Sequence, residues 1–403
     1  MVEIMRHFRP ERKLRLDTII VGGGNVSGGA ICIELGRAGK SVLCVDQMNP
    51  LMVHDGRSCT SCGGILQEET AELLEELGVP VEEATRRKLD GFIVTLPTGE
   101  EMKIDTPMRS VYRGHGPRNA VRKKPGLDAL ILKTALKYPT VRFHKGEIRD
   151  VDLSSGDQAL VYLKGMNEPL KSDFFVGAFG HNPDLVTKHI KVPPGSKLDT
   201  PKTQKSMVME IEVGDELLEK CFGSYARVLV LPYDKTKKNS NVLFVAFIPK
   251  NDGALAMVIM GDGDVKSGDV DDFIASPYLS SALSRELVEK IKRTDWVNQG
   301  GCKLCSCTRG SITTASPEHS LIAKEGGALL IGDTGATRLY KDGLGAAVKN
   351  AHAGAEAILK GDFNYYQVQM EHEFPHDDHI YADGFLRLND AIIANQYFRA
   401  VLL

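Results

Sequence analysis

The 403-residue sequence predicts an α/β fold in which a parallel-stranded βαβ domain carries a smaller antiparallel sheet. Three observations predict it. A short strand, a glycine-rich turn and a helix open the chain at residues 17–47. A second buried strand, followed by a helix of small residues, stands near the far end at 325–359. Between them, strand-like apolar runs follow one another at short intervals, split by turn clusters.

Composition narrows the class. A net charge of −3 gives no whole-molecule reason to expect nucleic acid as a partner. No apolar run approaches the roughly 18 residues of a spanning helix. The basic N-terminus lacks the apolar core of a secretory signal, so a cytoplasmic chain is expected. Eight cysteines in a chain this long do not form a disulfide scaffold; clustered thiols point to metal binding or redox chemistry.

The elements follow in order. Residues 1–16 include "RHFRPERKLRL", five Lys/Arg against one Glu. This reads as a solvated arm, although basic segments are also drawn to anionic lipid, which leaves a peripheral membrane contact open. Ile19 to Val21 is a short buried strand. Gly22 and Gly24 then fit the frame G-x-G-x-x-G, with Ser27 in place of its third glycine. A helix runs from Gly28 to Arg37 and closes at Gly39; Ser41 to Val45 is the next strand, ended by Asp46. This is the dinucleotide-binding, Rossmann-like pattern. The glycines let backbone approach a pyrophosphate at a helix N-terminus, and the acid accepts ribose hydroxyls.

"GRSCTSCGGIL" follows, with Cys59 and Cys62 two residues apart and Gly63 and Gly64 directly after. "GFIVTLPTGEEMKI" alternates around a Pro-Thr-Gly turn and reads as a hairpin. "KSMVMEIEV", "ARVLVLPY", "NVLFVAFIP" and "ALAMVIMGD" are the strands of an antiparallel sheet. "GDGDVKSGD" lacks an EF-hand frame and reads as a solvated turn. "DVDDFIASPYLSSALSRELVEKIKR" reads as helical. "GGCKLCSCTRG" holds Cys302, Cys305 and Cys307. Ala328 to Ile331 is a buried strand that ends at Gly332-Asp333. Asp342-Gly343 opens a helix rich in alanine and glycine, which can sit close to another backbone or a flat ligand. His372, His376 and His379 stand among acids, but Pro375 breaks the helix that would align them on a metal. The amphipathic C-terminus is expected to dock internally, with a partner or membrane face behind it.

Together these segments resemble the FAD-dependent oxidoreductases of the geranylgeranyl reductase family, GR2-type flavoproteins related to the aromatic hydroxylases. The resemblance spans roughly residues 17 to 360 and is more specific for FAD than for substrate. It implies that Gly22, Gly24 and Ser27 face the pyrophosphate and Asp46 the adenosine ribose. It places Cys62, Gly63 and Gly64 beside the flavin ring, and Arg122 of "RKKPGLDALILKTAL" against the cofactor. Asp333 would hold the ribitol, and the helix start at Gly343, Leu344 and Gly345 the pyrimidine end of the flavin. "FFVGAFG" departs from the family, because Phe179 replaces its aspartate; "RGSITTASP" has Thr313 where proline is usual. Tyr340 and Lys341 precede the flavin-facing helix. A surface position suits them equally; in the pocket, Tyr340 could donate a proton and Lys341 could hold a negative flavin.

The implied domains are a basic arm (1–16), FAD-binding segments at 17–90, 113–200 and 301–360, a substrate-domain hairpin at 91–112, an antiparallel-sheet substrate domain at 201–300, and a C-terminal helical extension at 361–403. The implied activity is hydride delivery from reduced flavin to a carbon–carbon double bond of a hydrophobic, isoprenoid-like substrate. Two other readings stay open: an electron-transfer protein linking a one-electron donor such as ferredoxin to a quinone or partner, and a non-catalytic FAD-bearing subunit of a redox complex. Family topology also brings the two cysteine groups toward one face of the flavin. Cys59 and Cys62 with two or three of Cys302, Cys305 and Cys307 would make a four-thiolate set suited to an iron–sulfur cluster or a structural zinc. A Cys59–Cys62 redox disulfide and unlinked thiols remain alternatives.

Overall fold

The computed structural model describes residues 18–51, 62–113, 125–154, 158–180, 182–194, 198, 203–231, 242–251, 253–261, 264–292, 308–313, 327–335 and 343–373. The chain opens with β1 (Thr18–Gly22), α1 (Val26–Arg37) and β2 (Ser41–Asp46). The helix starts two residues before Gly28 because Asn25 caps it, its side chain accepting from the Gly28 amide. Next come β3 (Ile65–Gln67), α2 (Glu68–Glu76), α3 (Val81–Ala84) and the long hairpin of β4 (Thr85–Thr95) and β5 (Glu101–Val111). After α4 (Leu127–Ala135) follow β6 (Val141–Lys145), β7 (Ile148–Asp152), β8 (Ala159–Leu163), β9 (Leu170–Ser172) and β10 (Phe174–Gly177). The short α5 (Pro183–His189) leads into β11 (Ile190–Lys191).

The second half holds β12 (Thr203–Glu212), α6 (Asp215–Phe222), β13 (Tyr225–Val230), β14 (Val242–Lys250) and β15 (Ala254–Gly261). The expected helical stretch is three short helices, α7 (Ser267–Ala275), α8 (Pro277–Ala282) and α9 (Arg285–Lys292). Extended backbone at Ser276, imposed by the proline that follows, separates the first two. β16 (Thr308–Thr313), β17 (Ala328–Leu330), α10 (Gly343–Lys360) and α11 (Phe363–Glu373) complete the described chain.

Five strands, in the order β17-β10-β1-β2-β6, form an all-parallel sheet. Helices α1, α4 and α10 cover one face with a continuous apolar core that includes Ile31, Ile131 and Ala351. The sheet β11-β7-β8-β9 covers the other, around Phe175, Val161 and Leu330. A parallel sheet needs both faces buried, which explains its uninterrupted apolar strands. Helix α11 docks on this domain. Phe363 stacks on Phe174 with centroids 4.9 Å apart, and the buried Tyr366 hydroxyl donates to Leu330 O at 2.8 Å.

The third sheet has the order β16-β12-β15-β14-β13-β4-β5-β3. Its pairs are antiparallel except β13 with β4, which run parallel from Tyr225↔Gly91 to Leu229↔Thr95. Alternation sorts its side chains. Met209, Phe247 and Met257 point to α6–α9 and form a second core. Val208, Ile248, Ala256 and Val258 line the opposite face, with Ala246 and Met260 partly buried among them. That face meets the first domain: a Cβ added to Gly63 would lie 2.6 Å from Val258 and 2.7 Å from Ile248.

Candidate functional site

The glycine turn after β1 is crowded by backbone. Gly23 has φ +119°, and a Cβ there would sit 2.1 Å from Ala178 O. A Cβ on Gly28 would sit 1.8 Å from Gly23 O. The closest approach of helix to turn therefore falls one residue past the frame's third position. Ser27 occupies that position instead; its hydroxyl donates to Asn25 Oδ1 at 3.0 Å. It faces Gly332, where an added Cβ would lie 2.5 Å from Ser27 Oγ. Asn25 does more than cap α1: its Nδ2 donates to Ala178 O at 2.6 Å, tying the turn to the end of β10.

Asp46 closes this corner. Gly24 N donates to its Oδ2 at 2.6 Å and Met48 N to its Oδ1 at 2.8 Å. Burial pushes its carboxyl up, and the two amides oppose that shift. Each oxygen keeps a lone pair that can accept a sugar hydroxyl.

A second wall rises from the cysteine–glycine segment. Gly64, at φ +71°, donates its N–H to Cys62 Sγ at 3.4 Å, and its carbonyl accepts from Val111 N at 2.7 Å. Lys250 reaches in from β14 and donates to Gly63 O at 3.0 Å and Val111 O at 2.8 Å. Beyond β5, Arg113 pairs with Asp128 of the first turn of α4, at 3.3 and 3.4 Å. The start of α4 is held to the same loop, Leu127 N donating to Tyr112 O and Asp128 N to Arg113 O. Burial pushes the Asp128 carboxyl up; Arg113 opposes this and Asp46 adds to it. Burial also opposes charge on Arg113, but Asp128, Cys62 and Asp333 hold it more firmly protonated than an ordinary arginine. Asp46, Asp128, Arg113, Cys62 and Asp333 thus share one electrostatic neighbourhood.

The third wall comes from the far half of the chain. Asp333 lies in a tight turn after β17, and Thr334 Oγ1 donates to Gly180 O at 3.0 Å. Gly343 begins α10, with Leu344 and Gly345 buried behind it. The small residues of α10 serve close packing: a Cβ on Gly354 would meet Ile331, Ile31 and Leu329 at 3.3–3.4 Å.

Of the expected site residues, Gly22, Gly24, Ser27, Asp46, Cys62, Gly63, Gly64, Asp333, Gly343, Leu344 and Gly345 are described. Arg122, Tyr340, Lys341, Cys59, Cys302, Cys305 and Cys307 lie outside the described residues. Among the described residues no group of three His, Cys, Asp or Glu is placed to hold a metal ion. The sequence reading missed Asn25, Gly28, Arg113 and Lys250. Asn25, just before a helix and three residues from Gly28, carried an N-cap signal. Arg113, isolated in a loop, carried none.

These features fit FAD. Backbone stripped of side chains at a helix N-terminus suits a pyrophosphate, and the Asp46 carboxylate beside it suits a sugar hydroxyl. Residues 15–272 match the family described as FAD binding domain. No curated protein sequence matches the chain. Among solved structures, a triple mutant of the flavin-dependent brominase Bmp2 is similar with a TM-score of 0.64 at 17% identity, over 96% of this chain and 93% of that one. The p-nitrophenol 4-monooxygenase PnpA from Pseudomonas putida DLL-E4 gives 0.64 at 14% identity, over 96% and 93%. A mutant of PqsL from P. aeruginosa gives 0.64 at 14%, over 96% and 99%. At these identities the likeness establishes a shared fold. No helix among the described residues is long and apolar enough to cross a membrane.

Proposed function

The chain belongs to the FAD binding domain family and is an FAD-dependent oxidoreductase, and from that premise we propose that it saturates a carbon–carbon double bond of a hydrophobic, isoprenoid-like substrate. The observation that carries this reading is the apolar sheet face beside the cysteine–glycine segment. Gly63 rests on Ile248 and Val258, with Ala246 and Met260 partly buried nearby. A substrate at the margin of that face, beside the partly buried Ala246 and Met260, would meet alkyl groups, which exclude water and orient a hydrocarbon without directing it by hydrogen bonds. Reduced FAD supplies the hydride. The Gly22–Ser27 turn, Asp46, Asp333 and the N-terminus of α10 bind the cofactor, and Arg113 steadies charge beside it. We assign the completing proton to the Tyr340 hydroxyl and a charge-holding role to Lys341. Residues 1–16 would meet an anionic membrane surface from which such a substrate comes.

The test is single turnover of the chemically reduced protein with a prenyl alcohol, without oxygen. The expected product gains two hydrogens and, in deuterated solvent, carries deuterium at both carbons of the former double bond, because the hydrogen on the nitrogen of chemically reduced flavin also comes from solvent. Product formed only in air and bearing oxygen, or bearing halogen when halide is present, would replace this reading with the activities named for the similar structures. A second reading is favoured by Cys62, which sits in the same neighbourhood as Arg113 and Asp333. In it, Cys59, Cys62, Cys302, Cys305 and Cys307 supply the ligands of an iron–sulfur cluster that receives single electrons from a donor such as ferredoxin, for a quinone or partner. Iron and acid-labile sulfide per chain after anaerobic purification decide it, and their absence ends it.

A further inference from the structure

We propose that Tyr366 is a positioning residue for FAD: from α11, beyond the cofactor-binding segments, its hydroxyl locks the end of β17 against the first turn of α10. Those two pieces carry Asp333 and the helix start proposed above to bind the cofactor, so the inference rests on that assignment and is independent of the double-bond reaction. Tyr366 and Asn350 are both wholly buried. The Tyr366 hydroxyl lies 2.8 Å from Leu330 O and 3.1 Å from Asn350 Oδ1. Asn350 Nδ2 in turn donates to Ala346 O at 2.7 Å. Ala346 is the fourth residue of α10, and Leu330 ends β17 just before the turn that bears Asp333.

β17 is the outer strand of the parallel sheet. Ile331 N donates inward to Gly177 O at 2.9 Å. Leu330 O belongs to the same planar trans peptide, so it points the other way, to the outer edge, where Tyr366 covers it. The hydroxyl carries one hydrogen and faces two acceptors, so it bridges them in a three-centre bond. Turning the Asn350 amide over would set its oxygen against Ala346 O, so Ala346 decides which end faces Tyr366. Asn350 stands on a buried helix face otherwise made of glycine, alanine, valine, leucine and isoleucine. Packing alone would be served by another apolar residue there, since a buried amide is stable only with its hydrogen bonds made. The network therefore marks one placement of the strand end relative to the helix: moving them about 1 Å apart takes these contacts past hydrogen-bond distance. By linkage, what the α11 contact does for FAD binding, bound FAD does for the docking of α11.

The full-length apoprotein is titrated with FAD, and the visible circular dichroism of the bound flavin is recorded at saturation. Tyr366→Phe keeps the ring and its packing but loses the bridge. It should raise the Kd for FAD by about threefold to tenfold, the span of one buried hydrogen bond, and change the flavin dichroism. Asn350→Leu should act in the same direction, and the double variant should bind no more than about twofold worse than the weaker single one, because one bridge is removed. A purely structural role lowers the stability of apoprotein and loaded protein equally and leaves Kd and dichroism at wild type; that result overturns the proposal, as do losses that simply multiply in the double variant. Asp333→Ala keeps the two claims apart. Wild-type affinity there removes Asp333 from the cofactor whatever Tyr366 does, while wild-type affinity and dichroism in Tyr366→Phe end the present assignment whatever Asp333 does. Should Tyr366→Phe fail to fold, hydrogen exchange of the wild type decides: FAD should slow exchange in α11 more than in α9, which packs on the other large sheet, and equal protection of both overturns the assignment.

Discussion

Ser27 and Gly332 show how a departure from a motif is accommodated. Serine in the third glycine position fits because the residue it faces, ahead of Asp333, has no side chain. Gly332→Ala should destabilise by about 2–4 kcal/mol, combining a left-handed φ of +63° with overpacking against Ser27. Adding Ser27→Gly should recover the packing part, about 1–2 kcal/mol, and leave the backbone strain. Denaturant melts of the two single variants and the double variant give that coupling, and strictly additive effects would show that the two residues do not press on each other. Asp46 makes a second claim at this scale. Its half-buried carboxylate holds the glycine turn and faces the expected ribose, so Asp46→Ala should weaken FAD binding by about 1.5–3 kcal/mol, the scale of a hydrogen bond to a charged group. Titration of the apoprotein by flavin fluorescence measures it, and unchanged affinity removes Asp46 from the cofactor.

At the scale of elements, α1 and α10 are held by burial, with His352 and Glu34 joined at 2.9 Å on the rim. The Glu34 bond is the main cause of the raised His352 value. A raised histidine stabilises fully below the unfolded value of about 6.5, and the contribution disappears as pH climbs past the folded value. Since His352 is 62% exposed, it amounts to about a few tenths of a kcal/mol. His352→Gln should therefore lower the melting temperature slightly in mild acid and match wild type in alkali; a constant difference across pH would refute the ion pair. The elements legible in the sequence were local ones: β1, α1 and β2 follow from a strand, a turn and a helix adjacent in the chain, and the β4–β5 hairpin from its turn. The parallel pairing of β13 with β4 was not legible, because nothing in either run specifies a partner more than a hundred residues away. Lys250 was hidden for a similar reason: at the end of an apolar run before "NDG" it reads as the first turn residue, and its carbonyl partners come from other segments.

At the scale of the whole molecule, the two main sheets are interleaved along the chain. β1 and β2 build the parallel sheet, β3 to β5 the large one, β6 and β10 return to the first, β12 to β16 rejoin the second, and β17 closes the first. A boundary drawn from motifs follows the cofactor, while a strand follows its neighbour. Thr85 already begins a strand of the large sheet, and residues 308–313, close to the second cysteine group, pair with β12. The position of β17 has a consequence for how the protein is made. During synthesis β10 leaves the ribosome long before its outer partner exists, and at about 5–20 residues per second the interval from β10 to β17 lasts about 8–30 s. Through that time the nascent chain carries an incomplete sheet whose open edge can pair with other chains. The turn bearing Asp333 emerges only afterwards, so a cofactor grip that includes the Asp333 assigned above to the ribitol would form only once β17 has been made, after the turn at Gly22–Ser27 and Asp46 has long been available.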